Sequence, residues 1–381
     1  HFDPGSAPAN ILLSDGVTVR ESTSEDMKTV VKVADFLPQM DMQSTALVCS
    51  DLPNEVGDIY RLYLIMKDSK KPVITGAFDV PGIKRMQEMI KVVRGSDEEV
   101  ANKPYAIFDI CASPPLKWSH ISSQNIIDCA RLGLPAELIS MSMPGAASPV
   151  TQAGSVVQDV AEVLSGLTLA QVVKKGAPII YAGAPVRFDM RTGTTPMSAI
   201  EAVMISCACA QMAKYYGLPS HTYAVLSDSK IVDAQSGYET ALSGLLAALG
   251  GINVISGAGG LDFIGTFSIE KLIIDAEIVG MIQKAVQGIN VSPETVASNW
   301  PACTCAPSSQ TVFTSMAGSI CAKASRASAM PAITPGWRDT TCRLPCLPAG
   351  MVACEVISPF RPISSASAAC TKGNKTTSGN S

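Results

Sequence analysis

The chain has 381 residues, of which 47% are hydrophobic and only 16% are charged. This composition supplies a large buried core and excludes both global disorder and a small disulfide-stabilised scaffold. The 29 basic and 33 acidic side chains give a net charge of −4. Such a balance offers no basic surface for nucleic acid or for an anionic membrane, so we expect neither as a partner.

The most apolar stretch, Ala241 to Gly260, has no charged residue and is about long enough to cross a bilayer. Glycines interrupt it repeatedly, which is typical of a buried helix, a tight turn and a buried parallel strand. We therefore expect no membrane span. No basic segment followed by an apolar one opens the chain, and we expect a cytoplasmic protein.

Short apolar runs alternate with amphipathic helical stretches as far as about Val296. Helix start signals include Ser24-Glu25-Asp26 before Met27–Leu37, Asn54-Glu55 before a helix to Lys67, and Thr195-Pro196 before Met197–Tyr216. The seven predicted strands are, in chain order, Ala46–Cys49, Val73–Gly76, Tyr105–Ile110, Leu138–Met141, Pro178–Tyr181, Leu218–Thr222 and Asn253–Ser256.

Repeated strand–helix units predict a parallel sheet in an α/β fold. Seven strands are one fewer than a TIM (β/α)8 barrel contains, and we expect the eighth either upstream of His1 or after Ser298. A doubly wound open sheet is the alternative. The barrel is favoured because the strands are regularly spaced and no G-x-G-x-x-G follows the first strand. We therefore predict a TIM-type barrel that is incomplete in this chain.

Beyond Ser298 the helical and strand periodicity stops, and Ser, Ala, Cys and Pro dominate. A zinc site is not favoured, because this segment has no histidine and its spacings form no paired zinc knuckles. A disulfide framework is not favoured either, because the first three hundred residues have the pattern of an intracellular protein and their cysteines fall inside apolar runs. A disordered extension and an out-of-frame continuation both explain the pattern. We predict a barrel domain over 1–297 and an irregular tail over 298–381. The cysteines of this tail are Cys303, Cys305, Cys321, Cys342, Cys346, Cys354 and Cys370.

In a barrel of this type, binding and catalytic side chains lie on the loops that follow the strands. Aromatic faces beside carboxylates suit a quaternary ammonium, which has no N–H donor and is held by cation–π attraction and a nearby anion. For each aromatic the alternative is core packing, and for each carboxylate a helix cap or an ion pair. The residues predicted to bind the substrate are Phe78, Asp79, Asp109, Tyr181, Phe188, Asp189, His221 and Tyr223.

Four glycines after predicted strands, Gly145, Gly183, Gly257 and Gly259, are predicted to let a bulky flat cofactor approach the backbone. The alternative is a tight turn that requires positive φ. The chain has three histidines, at positions 1, 120 and 221, which no ligand spacing groups together. We expect no intrinsic metal.

Several segments, in this order and at these separations, resemble the trimethylamine methyltransferase superfamily over about residues 1 to 297. They are Ser142–Gly154, Tyr181–Pro185, Ser227–Lys230, Asp233–Glu239, Gly257–Gly259, Thr266–Ser268 and Leu272–Glu277. The resemblance implies a TIM barrel that passes a methyl group from a methylated amine to the cobalt of a separate corrinoid protein. It also implies that the chains of family members continue beyond both ends of the matching segment.

One group within that superfamily contains pyrrolysine and uses trimethylamine, and the other resembles glycine betaine methyltransferases. No unusual residue is written in this sequence, so the resemblance places it in the second group. A quaternary nitrogen leaves as a neutral amine and requires no acid, which agrees with the scarcity of histidine. Candidates to receive a substrate carboxylate are Arg187, Arg191, His221 and Lys230.

We therefore predict a corrinoid-dependent methyltransferase that takes a methyl group from a glycine-betaine-like quaternary amine. The cobalamin is expected on a cognate corrinoid protein. Three alternatives remain: a non-catalytic binding protein for quaternary amines, a trimethylamine methyltransferase, and an inactive truncated product. A homo-oligomer is also left open.

Overall fold

Eight short parallel strands surround a common axis in the computed structural model, which describes residues 1–292 and 294–296. The ring closes where Met42 N–H donates to Phe2 O at 3.2 Å and the Ser44 hydroxyl donates to Pro4 O at 2.7 Å. Around the barrel the strands are β1 (Phe2–Pro4), β10 (Val254–Ala258), β9 (Ser220–Tyr223), β8 (Ile179–Gly183), β7 (Ala136–Ser140), β6 (Ala106–Cys111), β5 (Val73–Gly76) and β4 (Gln43–Ser44).

This arrangement confirms the predicted (β/α)8 barrel, corrects its strand count and excludes the open-sheet alternative. The eighth strand is Phe2–Pro4, at the start of the chain, and not in either of the two places where we expected it. The first predicted strand, Ala46–Cys49, is also wrong, because the strand that pairs with β5 is Gln43–Ser44. Strands of two or three residues, with polar or proline members, carry too little alternation to be recognised in a sequence.

Helices pack on the outside of the barrel in the described part of the chain. Those of the first half are α1 (Ser24–Phe36), α2 (Asn54–Asp68), α3 (Gly82–Arg94), α4 (Asp97–Asn102) and α5 (His120–Leu132). Those of the second half are α6 (Gln152–Val173), α7 (Ile200–Tyr215), α8 (Ala234–Leu249) and α9 (Ile269–Gln287). Capping boxes at Thr23 and Asp233 fix the starts of α1 and α8.

Helix α7 begins later than the Thr195-Pro196 signal predicts. The side chain of Asp228 accepts hydrogen bonds from the backbone N–H groups of Met197 and Ser198, each at 2.9 Å. These bonds hold the two residues in the loop before the helix. The predicted start at Met197 is therefore three residues too early, because a distant carboxylate competes for the N–H groups.

A second, four-stranded sheet lies beyond the carboxyl ends of β1 and β10. Its strands are β11 (Gly260–Leu261), β12 (Thr266–Phe267), β2 (Asn10–Leu12) and β3 (Val19–Glu21), in that order. The β2 and β12 strands pair in parallel, so the first residues of the chain are tied to the loop after β10.

Among the described residues, one helix, α6, is long and apolar enough to cross a membrane by length and composition alone. It buries Asp159 and Glu162 inside the protein, as a helix packed on a barrel does. The apolar stretch Ala241 to Gly260 forms the end of α8, a turn and β10, as predicted. The predicted tail, 298–381, lies outside the described residues, and the boundary at 297 stays a prediction.

Alternation along the strands separates two environments. Phe108, Leu138 and Tyr181 pack with the helices in the main core. Their sequence neighbours Ile139 and Ala182 pack in a second cluster with Leu226. Because successive strand residues face opposite sides, the residues beside the first set face the barrel lumen.

Replacing Gly257 by alanine is expected to destabilise the barrel by about 2–4 kcal/mol. Gly257 has a φ of +139°, and an added Cβ would lie 2.1 Å from the carbonyl oxygen of Ala224 on the neighbouring chain segment. Urea unfolding measures the change in the free energy of unfolding.

Gly237→Ala is the matched control, because a Cβ at this position in α8 meets no atom within 4 Å. It is expected to stabilise the protein by about 0.5–1 kcal/mol. Equal unfolding midpoints for the two variants would contradict the close approach at Gly257.

Candidate functional site

A cavity of about 390 Å³ opens at the carboxyl ends of the barrel strands. Its apolar lining includes Ala77, Ile110, Ile139, Met141, Ala184, Met197 and Ile264. Its polar lining includes Ser6, Thr45, Arg61, Asp109, Asn125 and Tyr223. A concave, mostly apolar space with a few polar groups is typical of a small-molecule site, and this end of a barrel is where such sites lie.

Asp109 lies on β6 and reaches the cavity because its neighbour Phe108 faces the helices. The Tyr223 hydroxyl donates to Oδ2 of Asp109 over 3.4 Å and lies 2.7 Å from the Ser6 hydroxyl. Oδ1 of Asp109 is buried and has no hydrogen-bond donor among the described residues. Burial is the main cause that raises the pKa of Asp109 well above its usual value, and the neighbouring Glu137 raises it further.

Below Asp109, polar side chains continue into the barrel lumen. Nε2 of His221 lies 2.7 Å from the Ser256 hydroxyl, which donates to Oδ2 of Asp3 at 2.6 Å. Nδ1 of His221 contacts Oε1 of Glu137. All of these side chains are buried. We call Asp3, Asp109, Glu137, His221 and Ser256 the lumen cluster.

Burial disfavours the charged form of every ionisable group in the lumen cluster. It raises the pKa of Glu137 to about 8 and lowers the pKa of His221 to about 4, even though Asp109 acts on His221 in the opposite direction. Burial also raises the pKa of Asp3 well above its usual value. At neutral pH the ligand-free cluster therefore favours neutral groups.

Arg61 brings a positive charge to the wall of the cavity, and it is the one basic side chain in that lining. It extends from α2 and donates to the carbonyl groups of Thr45 at 3.3 Å and Leu47 at 3.2 Å. Its guanidinium also pairs with Asp58 and lies 5.3 Å from the centre of the Phe78 ring. Arg61 is 2% exposed and held from several sides, so its charge is fixed in place.

A second cavity, of about 480 Å³, lies beside the first and shares Arg61 and Phe78 with it. Asp79 lines this second cavity and pairs with Arg85 at 3.1 Å. Phe78 and Arg61 therefore separate the two spaces.

Buried polar bonds hold the loops at the mouth. Nζ of Lys271 donates to Asp275 at 2.5 Å and to Thr240 at 2.9 Å, and Asp275 accepts the Gly259 N–H at 2.7 Å. The Glu239 carboxylate accepts the Asp228 N–H at 2.9 Å. The loops after β10 and β9 are thus tied to α9 and α8.

The structure brings three of the eight predicted binding residues, Phe78, Asp109 and Tyr223, to the main cavity. His221 lies beneath them, with its ring edge-to-face to Tyr223 at a centroid distance of 5.1 Å. The Tyr181 hydroxyl donates to Asp159 of α6 at 2.8 Å, on the helix side of the sheet.

The remaining predicted binding residues lie elsewhere. Phe188 and Asp189 belong to the loop between β8 and α7, outside the cavity lining, and Asp189 accepts the Arg191 N–H at 2.8 Å. Among the proposed carboxylate receptors, Arg191 pairs with Asp189 at 3.7 Å and Lys230 with Asp262 at 3.6 Å. Neither they nor Arg187 line the cavity.

The four predicted cofactor glycines also lie outside the cavity lining. Gly145, Gly257 and Gly259 have φ values of +90°, +139° and +88°, and a Cβ on Gly259 would lie 2.5 Å from the Phe267 ring. Gly183 ends β8, where its carbonyl accepts the Thr222 hydroxyl at 2.9 Å. These observations favour the turn and packing explanation over contact with a cofactor.

Sequence reasoning missed Arg61 and most of the lumen cluster. Glu137 does give a signal, since it is a charged residue inside a short apolar segment, whereas Asp3 lies in a strand too short to be recognised. Arg61 gives none, because it lies on a helix and only the length of its side chain brings it to the cavity. In the described residues no group of three His, Cys, Asp or Glu side chains has an arrangement that could hold a metal.

Residues 1–308 match the family model described as trimethylamine methyltransferase (MTTB). Trimethylamine methyltransferase MttB2 of Methanosarcina mazei is 39% identical over 285 residues, which cover 74% of this chain and 57% of that protein. The glycine betaine methyltransferase of Desulfitobacterium hafniense is 31% identical over 298 residues, which cover 78% and 62%. The chain thus spans little more than half the length of the trimethylamine methyltransferases that it matches.

Among solved structures, the monomethylamine methyltransferase (MtmB) of Methanosarcina barkeri aligns with a TM-score of 0.53 and 12% identity. The alignment covers 77% of this chain and 60% of that chain. At this identity the similarity shows a shared barrel fold.

Lys271→Met is expected to lower the free energy of unfolding by about 3–5 kcal/mol, because it leaves Asp275 buried without its cation. Lys230→Met is the matched control, since the Lys230–Asp262 pair is exposed, and it should cost no more than about 1 kcal/mol. Urea unfolding of both variants measures the difference. Similar losses would show that the buried pair does not hold the mouth loops.

Proposed function

The chain belongs to the trimethylamine methyltransferase family, and on that basis we propose that it transfers a methyl group from a glycine-betaine-like quaternary amine to a reduced corrinoid on a partner protein. The observation that carries the proposal is the presence of Asp109 and Arg61 in one mostly apolar cavity. A zwitterion with a trimethylammonium group and a carboxylate matches both charges.

The ammonium end of such a substrate suits the floor of the cavity. A quaternary nitrogen cannot donate a hydrogen bond, so an aromatic face and a carboxylate hold it better than hydrogen-bond acceptors alone. Tyr223 supplies the ring, Asp109 supplies the carboxylate, and Ile139 supplies apolar surface for the methyl groups. Each aromatic face contributes about 0.5–2 kcal/mol to such binding.

The carboxylate end suits Arg61, whose planar guanidinium binds carboxylates with two parallel hydrogen bonds. Trimethylamine has no carboxylate and would make no such contact with Arg61, whose guanidinium would keep its pair with Asp58. It remains the second candidate substrate, because relatives named trimethylamine methyltransferases reach 39% identity against 31% for the relative named glycine betaine methyltransferase.

The rim of the cavity fits a flat methyl acceptor. Phe78 is 60% exposed, Ile121 38% and Met141 36%, and all three line the opening. When bound there, a reduced corrinoid would supply the nucleophile that takes the methyl group. Such a cofactor needs a reducing compartment, which supports a cytoplasmic location.

The residues of this chain would act by position and by excluding water. Asp109 and Tyr223 hold the nitrogen, and Arg61 holds the other end of the molecule. The nitrogen leaves as a neutral amine, so the bond cleavage needs no proton donor. The reaction therefore depends on aligning the methyl group with its acceptor in a cavity without water. The apolar wall of the cavity excludes that water.

An anaerobic assay with purified protein, cob(I)alamin and glycine betaine tests the proposed reaction. Methylcobalamin, followed by its visible spectrum, and dimethylglycine should form together. Asp109→Asn should lower the rate at least about 100-fold. Asp189→Asn, outside the cavity, should leave it unchanged. Glycine betaine binding without methylcobalamin would indicate a binding protein, and methyl transfer from trimethylamine alone would overturn the proposed substrate.

Arg61→Lys should weaken glycine betaine binding about tenfold, because lysine keeps the charge but loses the paired hydrogen bonds. Binding of tetramethylammonium, which has no carboxylate, should not change. Isothermal titration calorimetry measures both dissociation constants. An equal loss for the two ligands would mean that Arg61 acts only by supporting the carbonyl groups of Thr45 and Leu47.

A further inference from the structure

The lumen cluster contains three carboxyl groups and one imidazole without a basic side chain paired to the carboxyls. Asp3, Glu137 and His221 are each no more than 3% exposed, and Asp109 borders the cavity with its Oδ1 atom buried. Lysine and arginine form no ion pair with these carboxyls among the described residues, and the amino terminus acts weakly on Asp3. Three negative charges packed here would each carry a desolvation cost of several kcal/mol.

The contacts within the lumen cluster favour a protonated Glu137. The Ser256 hydroxyl donates to Asp3, which leaves its oxygen to accept from Nε2–H of His221. Nδ1 of His221 contacts Oε1 of Glu137, and among the described residues Glu137 is not paired with Lys or Arg. Burial therefore favours the neutral form of Glu137 and raises its pKa to about 8.

Asp109 differs from Glu137 because it borders the cavity. The groups that face it are Glu137, its partner on β7, then Asp3, His221, Tyr223 and the Cys111 thiol, and Arg61 lines the same cavity. Burial and Glu137 favour its neutral form, and the hydrogen bond from Tyr223 favours the ionised form. A ligand cation beside Asp109 would reverse this balance without disturbing Glu137.

We propose that Asp109 is a neutral carboxylic acid in the empty site and that a quaternary ammonium entering the cavity drives its proton into solvent, while Glu137 keeps its proton throughout. The O–H bond of Asp109 breaks, water takes the proton, and the carboxylate pairs with the ligand cation. For tetramethylammonium the net charge of the occupied site then equals that of the empty one, and for glycine betaine the ammonium charge beside Asp109 is compensated while the ligand carboxylate remains for Arg61. The inference rests on the proposed function, since it concerns the same cavity and ligand class.

Two consequences follow for binding. Glycine betaine binds the ionised form of Asp109, so its affinity should rise with pH by up to about tenfold per unit while the empty site is protonated, and then level off. The carbon isostere 3,3-dimethylbutanoate has the same shape and carboxylate but no positive charge. Its binding should release no proton.

Calorimetry in two buffers of different ionisation enthalpy, at pH 6.5, counts the protons released. We expect about one proton per glycine betaine or tetramethylammonium bound, and none for 3,3-dimethylbutanoate. Binding of the cations without proton release would overturn the inference and leave the proposed substrate class standing. If neither cation binds, both the proposed substrate class and the inference about Asp109 are overturned.

Two variants of nearly unchanged shape identify the group that loses the proton. Asp109→Asn imitates the neutral acid, so it should abolish proton release. It should also weaken the binding of glycine betaine at least about tenfold and leave the binding of 3,3-dimethylbutanoate unchanged. Glu137→Gln imitates the neutral Glu137 and should still release about one proton. Release that persists in Asp109→Asn and disappears in Glu137→Gln would assign the proton to Glu137 and overturn the inference. If Glu137→Gln does not fold, the titrations of the wild type and of Asp109→Asn still show whether Asp109 is the group that loses the proton.

Discussion

A carboxyl group enclosed in a barrel lumen without a basic partner must keep its proton or acquire a cation. Asp109 is in that position, and the properties of the site follow from it. Its apolar surroundings make an isolated charge costly, and the same surroundings strengthen the attraction to a cation that does enter. We therefore expect the site to distinguish a ligand with a positive charge beside Asp109 from a ligand of the same shape without that charge.

This constraint depends on the closure of the barrel. Strand β1 fills the gap between β10 and β4, and it brings Asp3 to Ser256 and Ser6 to Tyr223. Without it, water would reach the lumen from the side and the carboxyl groups would ionise freely. The loops at the mouth have a separate support in the buried Lys271–Asp275 pair, which is away from the cavity lining.

The barrel was predictable from sequence because long helices separate its apolar strands at regular intervals, and this signal does not depend on exact strand limits. The site depends on those limits. Tyr181 and Ala182 are adjacent, yet only the register of β8 decides which of them faces the lumen, and a shift of one residue reverses the assignment. Asp109 and Tyr223 could be found because they lie near strand ends. Arg61 could not, since its position depends on how α2 packs.

Contacts in the structure give a physical role to several residues of the segments that carry the family resemblance. Asp228 and Glu239 fix backbone groups, and Asp275 fixes the Gly259 turn. These residues shape the mouth, whereas the groups suited to contact a ligand come from β6, β9 and α2. The residues that carry the family resemblance and the residues that we propose to contact a ligand are thus largely different sets.

The most direct test is a crystal structure of the protein with glycine betaine bound. The trimethylammonium group should lie within about 6 Å of the Tyr223 ring centre and beside the Asp109 carboxylate, with the substrate carboxylate on Arg61. A ligand in the second cavity, between Cys49 and Asp79, or one whose nitrogen points away from Asp109, would contradict the account.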